Sequence, residues 1–479
     1  ADVAHLNFQY NQNDAPEELD RVITDYLNSP LSIKPQFEDI SNESDFWELG
    51  GDYEHTFRGG NRWRGLFIIN RKKDDRTRER FDLNKNNQKD IFLNTFNQYE
   101  EEIFRTSYSL NLSQNQDLEF GVERAQTTLE SSLRLGLLPD GSMASEYGGL
   151  TPANSSNAVV QEVRYEGFAI HNWQFNDRMS LESTLIYEES TIKQSGDISK
   201  ERDFSFIRPK VDYRFDITPS LQLRATIEKD VAQLSFNDFT ANIPPIGDDD
   251  QNTFAGNPDI RQEQSWRYDL NLEYRFDEDN GVINTNIYYQ DLEDLIDRVD
   301  VSTSTVLQSA NGNIGDGKRH GGSVDSSYRL NSFNLPQLLL TARLELVNGS
   351  ATDPFLNIER PLQRQGKGSY RYGFRYDMGS RNISYGVNFS GTFDGDQLVY
   401  DIDKIEDYYM EDFIMAFLEL QGWGGLIYRF EATNPHEQYR CRIRTRYTGG
   451  TIATGSLSEI EDSCSHAGEK YAIKIRGTF

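Results

Sequence analysis

Short and long connections alternate along this chain from end to end. Tight turns are expected near 58–61, 113–117, 176–178, 216–220, 277–281, 331–336, 379–381 and 421–424. Long polar segments fall between them, at 11–43, 74–100, 127–157, 191–201, 235–260, 295–316, 348–366, 393–407 and 448–467. A soluble all-β protein has no reason to sort its loops by parity. A barrel crossing an outer membrane does, because the turns at one rim are tight and the loops at the other are long.

The stretches between connections alternate residue by residue. In 266–276, Trp266, Tyr268, Leu270, Leu272, Tyr274 and Phe276 share one face. Arg267, Asp269, Asn271, Glu273 and Arg275 share the other. A period of two separates apolar from charged side chains completely, as a strand requires. Val211, Tyr213 and Phe215 oppose Lys210, Asp212 and Arg214 in the same way, and Leu221, Leu223, Ala225 and Ile227 oppose Gln222, Arg224, Thr226 and Glu228. In a barrel the apolar face meets lipid and the charged face lines a wet lumen.

Composition closes off the other membrane class. The 479 residues carry a net charge of −28, and the mean hydropathy is −0.70. A membrane helix needs roughly 20 consecutive apolar residues, and no stretch here approaches that. The expected fold is all-β: a transmembrane antiparallel meander barrel of about 18 strands, each near the ~9–11 residues a tilted strand needs to cross. It takes in the whole chain, 1–479. Asn434-Pro435 is expected to be a bulge within a long strand running from Gly425 to Tyr447. Trp47, Trp63, Trp173, Trp266 and Trp423 lie near expected strand ends, where aromatic girdles sit.

Three stretches resemble the barrel of TonB-dependent receptors. They are GNPDIRQEQSWRYDLNLEYRF at 256–276, RPKVDYRFDITPSLQLRATIEKDVAQLSFNDF at 208–239 and NIGDGKRHGGSVDSSYRL at 313–330. The closing strand 471–479, ending on Phe479, is similar too. The resemblance implies a barrel of about 22 strands with an N-terminal plug. Nothing in 1–30 resembles a plug, so the plug and about four strands are expected to lie outside this sequence.

The function so implied is active import of a scarce nutrient such as a siderophore, cobalamin or oligosaccharide, energised through TonB. The setting is the outer membrane of a Gram-negative bacterium, with lipopolysaccharide and membrane lipid as surroundings. The alternative is a passive, substrate-selective porin closing on its own strands. No phosphate-cradling loop, dinucleotide fingerprint, zinc-protease helix or nucleophile elbow occurs in a fitting context, so no enzymatic activity is expected. The six histidines are scattered, and no metal site, cofactor or nucleic-acid partner is expected.

Two local features stand out. Arg440, Arg442, Arg444 and Arg446 fall on one face of a strand. They form either a basic ladder meeting an anionic substrate or the plug, or a row neutralised by acidic neighbours such as Glu431 and Glu469. Cys441 and Cys464, with 22 residues between them, are placed either for a loop-closing bridge or as two separate thiols. Acidic groups at Asp248, Asp249 and Asp250, and at Asp291, Glu293, Asp294 and Asp297, either solvate loops or attract cations.

Overall fold

The alternating stretches pair into a sheet of twenty strands. The computed structural model describes residues 2–26, 30–138, 143–240, 256–277, 280–304, 307–393, 397–436 and 438–477. Asp248, Asp249, Asp250 and Phe479 lie outside the described residues. Every described pairing is antiparallel. Two of the twenty strands do not add width: Glu17–Asp25 pairs with Ser32–Thr56 beyond the stretch used by Asp2–Asp14, and Glu359–Arg360 pairs with Leu335–Thr352 beyond Gly368–Met378. Twenty less these two leaves eighteen positions across the sheet.

The side-chain faces follow the sequence pattern. Tyr268, Leu270 and Ile227 stand in register with Tyr289, Ile287 and Val211 on neighbouring strands, and all are exposed. Leu270 is 46 % exposed. That row is the lipid face. On the other face Arg267 bonds Asp269, and Arg224 bonds Asp212 at 2.8 Å. The eight expected short turns all separate strands where anticipated, as at Asn176–Met179 and Gly379–Arg381.

The chain divides into two compact units. One comprises 1–171, 184–208 and 234–260; the other comprises 172–183, 209–233 and 261–479. In the first, the segments read as long polar loops at 74–100 and 11–43 are largely strand. Arg62–Asp82 and Gln88–Ser113 run for 21 and 26 residues and are joined by a short turn. Asn86 and Asn87 adopt left-handed backbone there, and the Asp82 carboxylate accepts the Asn84 amide at 3.0 Å. Polarity does not end a strand when its charges pair across the ladder. Arg80 bonds Asp90 at 2.8 Å, and Glu38, fully buried, takes Arg78 at 2.7 Å and Arg21 at 2.8 Å. Beside them Ile91, Leu93, Leu133 and Leu135 form a small apolar core.

The second unit has shorter strands and an added sheet. Gln397–Tyr400, Lys404–Met410, Gln438–Thr448 and Ser456–Ala467 form a separate four-stranded sheet, here called the crown. Asn434-Pro435 is therefore not a bulge. The main-sheet strand Ile427–Thr433 ends there, Asn434 turns at φ 48°, and the chain resumes in the crown.

Candidate functional site

The loop ends of the second unit are joined through one buried arginine. Arg360, at Glu359–Arg360, donates from Nε to Asp353 Oδ2 at 2.7 Å and from Nη2 to Asp297 Oδ2 at 2.7 Å. Its guanidinium lies 4.7 Å from the centre of the Tyr400 ring. Asp353 also accepts the amides of Phe355 and Leu356 at 2.9 and 2.7 Å, which folds its own loop. The Gln363 side-chain amide donates to the Tyr400 carbonyl at 2.8 Å, accepts the Tyr400 N–H at 3.0 Å and donates to Asp297. Three connections, around 297, 353–363 and 400, are thus held together. Burial works against the charge on Arg360, yet the two carboxylates outweigh it and raise its pKa further. Asp297, read above as part of an acidic loop, is an internal counter-ion.

Next to this knot is a cavity of about 280 Å³. One wall is apolar: Leu292, Leu295 and Leu362, from a cluster that also includes Ala351 and Ile314. The other is polar: Glu263, Gln290, Arg319, Arg364 and Gln365, with Asp297 and Gln363 of the knot. Gln290 and Arg319 are directly opposed on paired strands. Glu263 accepts the Ile296 amide at 3.2 Å, and Gln290 donates to Ser265 Oγ at 3.0 Å. The Gln365 Oε1 atom is buried and has no partner among the described residues. Burial pushes the Glu263 carboxyl up, against the smaller opposing pulls of the Ile296 amide and Arg319.

The arginine row lies on the crown strand Gln438–Thr448. Arg444 is fully buried and donates from Nε to Glu406 at 2.7 Å and from Nη1 to Glu461 at 3.2 Å. Arg442 reaches Glu461 at 3.0 Å and Glu406 at 3.6 Å. Arg440 stands opposite Met410 and Ser465, and Arg446 opposite Lys404 and Glu459. The neutralising carboxylates are Glu406 and Glu461, not Glu431 and Glu469. The switch of sheets at Asn434 explains this: Glu431 stays in the main sheet with Arg429 and Lys474, at 2.5 and 2.6 Å, and Glu469 accepts from Tyr471 at 2.8 Å. Cys441 and Cys464 are cross-strand partners with Cα atoms 4.1 Å apart, and they are bonded to each other.

The main sheet of the second unit carries another charge network. Glu419 accepts from Arg375 at 2.7 Å, Arg429 at 3.0 Å and Arg476 at 3.2 Å. These ion pairs tie the second unit's strands and loops to one another. The antiparallel meander of eighteen positions that carries them is of the transmembrane β-barrel class.

Comparison with known proteins gives that class its family. Residues 2–423 match the family described as "TonB dependent receptor-like, beta-barrel". The chain belongs to the TonB-dependent receptor β-barrels, a family of transport receptors. Among solved structures it is similar to the ferric citrate transporter FecA, with a TM-score of 0.63 at 10 % identity, covering 97 % of this chain and 70 % of that one. It is similar to the copper transporter OprC, with a TM-score of 0.59 at 14 % identity over 98 % of this chain and 75 % of that one. The ferric yersiniabactin uptake receptor FyuA of Yersinia pestis gives 0.56 at 11 % identity, covering all of this chain and 79 % of that one. At such identities the likeness is one of fold. No curated protein matches the chain in sequence.

Arg360, Asp353, Glu263 and Gln365 were invisible in the sequence. Each sits in or beside a polar connection, and Arg360 meets Asp297 across 63 positions. Periodicity carries no signal for such a contact.

Proposed function

We propose that this chain is the barrel of an active outer-membrane importer in a Gram-negative bacterium, energised through TonB. The observation that carries this reading is the assembly of loops in the second unit, where Arg360 holds three connections beside a polar cavity. A receptor that captures a dilute nutrient needs such a preformed surface. The outward rows of Tyr, Leu and Ile support a lipid setting, with lipopolysaccharide around the loop end. The paired Arg442 and Arg444 act by fixing the crown rather than by presenting free charge to a substrate.

The barrel works with a plug and about four further strands. The strand Lys470–Arg476 pairs along one edge with Ile427–Thr433 and is exposed along its whole length. In hydrocarbon each unpaired backbone group costs several kcal/mol, so a further strand completes this edge. The test is uptake by cells carrying the full-length protein. Import should stop when the inner-membrane proton gradient is collapsed. Passage that continues without a gradient, through the purified chain closed on its own strands, would establish a passive pore instead.

A further inference from the structure

Two adjoining grooves, of about 650 and 620 Å³, meet at Thr106 and Val122 in the first unit. We propose that they hold the two acyl chains of an anionic phospholipid, with its phosphate at Arg58 and Arg62. The site depends on the barrel's membrane setting and not on what the barrel transports.

Small residues make the floor. Gly65 and Thr106 lie in the first groove, Gly167 and Ala169 in the second. A Cβ added at Gly167 would meet no atom within 4 Å, and one at Gly65 would only touch the Trp63 ring at 3.6 Å. The walls are large and exposed: Tyr53, Phe104 and Tyr165 around the first groove, Leu185 and Tyr187 beside the second. The Thr106 hydroxyl accepts from Trp63 Nε1 at 2.9 Å and donates to the Arg64 carbonyl at 3.2 Å, so it asks nothing of an occupant. Charged neighbours of the first groove are engaged elsewhere. On the alternate face of the strands His5 bonds Asp52 at 3.3 Å and Arg105 pairs with Glu123 at 3.7 Å, while Arg124 donates to Gln126 at 2.7 Å. The grooves therefore open on the lipid side.

Their height selects the leaflet. Gly65 and Thr106 lie close to the turns joining Thr56 to Arg62 and Ser113 to Gln116. Short turns mark the periplasmic rim of such barrels, where the leaflet is built of phospholipid. That rim is basic here. Residues 55–64 hold Arg58, Arg62 and Arg64 and no carboxylate, in a chain of net charge −28. Arg64 is drawn to Asp52 at 3.6 Å. Arg58 and Arg62 are exposed and have no acidic partner among the described residues. Two guanidiniums beside Trp63 at the interface suit a phosphate, and they repel the ammonium that a zwitterionic headgroup carries.

The experiment is native mass spectrometry of the full-length protein released from detergent, with phosphatidylglycerol, phosphatidylethanolamine and lipid A offered in turn. Phosphatidylglycerol should be retained about fivefold better than phosphatidylethanolamine of the same chains. Arg58→Ala combined with Arg62→Ala should bring the two to parity. Gly167→Leu, which fills the second groove, should lower retention of both. Phosphatidylglycerol brominated on its acyl chains should quench tryptophan fluorescence, and that quenching should shrink in Trp63→Phe. The arginine variant alters exposed turn positions, so it folds even if Gly167→Leu does not. Equal retention of the two phospholipids by the unaltered protein, or a preference that survives loss of both arginines, overturns the site. Tighter retention of lipid A also overturns it, because the grooves would then take the lipid of the other leaflet.

Discussion

The strand Gln88–Ser113 in the first unit runs for 26 residues, and Gln264–Arg275 in the second runs for 12. Both cross one membrane, for which roughly 9–11 residues suffice. The first unit uses the surplus to continue its ladder into water, held by Arg80–Asp90 and by Glu38 with Arg78 and Arg21. The second unit stops its strands early and spends its polar residues on loops, a crown and a cavity. The contrast shows that ion pairs across a ladder build stiff walls, whereas ion pairs between distant loops, such as Asp297–Arg360–Asp353, build a shaped surface.

The largest expected effect separates these two uses of charge. Glu38→Ala leaves two guanidiniums without their buried partner, and Arg360→Ala leaves two carboxylates. Breaking a buried pair from one side costs about 3–5 kcal/mol. In Glu38→Ala, hydrogen exchange should accelerate along the ladder pairing 36–41 with 77–82. In Arg360→Ala, the main sheet should keep its protection, and limited proteolysis should cut within 296–313 or 353–366. Loss of protection in the same strands for both variants would erase the distinction.

The crown supplies the next comparison. Replacing Cys441 and Cys464 by Ala removes a bridge across 22 intervening residues. Such a cross-link restricts the unfolded chain by about 3–4 kcal/mol. The loss should be confined to crown amides, read by hydrogen exchange. Two alkylatable thiols in the native, unreduced protein would remove the basis of this expectation.

Within the membrane the two faces of one strand should diverge. Leu270→Arg puts a charge into lipid and should cost roughly 2–4 kcal/mol, whereas Asn271→Arg on the inner face should stay within about 0.5 kcal/mol. Refolding titrations into lipid vesicles give both values. Equal costs would reverse or abolish the assigned faces.

The smallest effect is a pH response limited to the crown. Burial alone would raise the Glu406 pKa, but Arg444, Lys404 and Tyr408 outweigh it and hold the carboxyl below its usual value. A lowered folded-state pKa gives stabilisation that is complete above the usual glutamate range and is lost as pH falls through the folded value. Crown protection should therefore decline below about pH 4, and Glu406→Gln should remove that pH dependence. First-unit hairpins that loosened in step with the crown would show that the response is not local to Glu406.

Much of this molecule was already present in its periodicity. The alternation in 266–276 set which side chains face lipid, because a period-two strand leaves no other choice once one side is hydrocarbon. The short turns marked where strands end, and eighteen strand positions followed from spacing alone. Tertiary structure decided where a polar stretch remains strand and where it leaves the sheet. Residues 74–100 and 348–366 look equally polar, yet the first places its ion pairs across one ladder, Arg80–Asp90 and Lys89–Glu79, whereas the second gathers its carboxylates onto Arg360. It also decided the partners of Arg444 and Arg360, because an ion pair depends on which chain segments arrive together, and a residue's own neighbours in sequence say nothing about that.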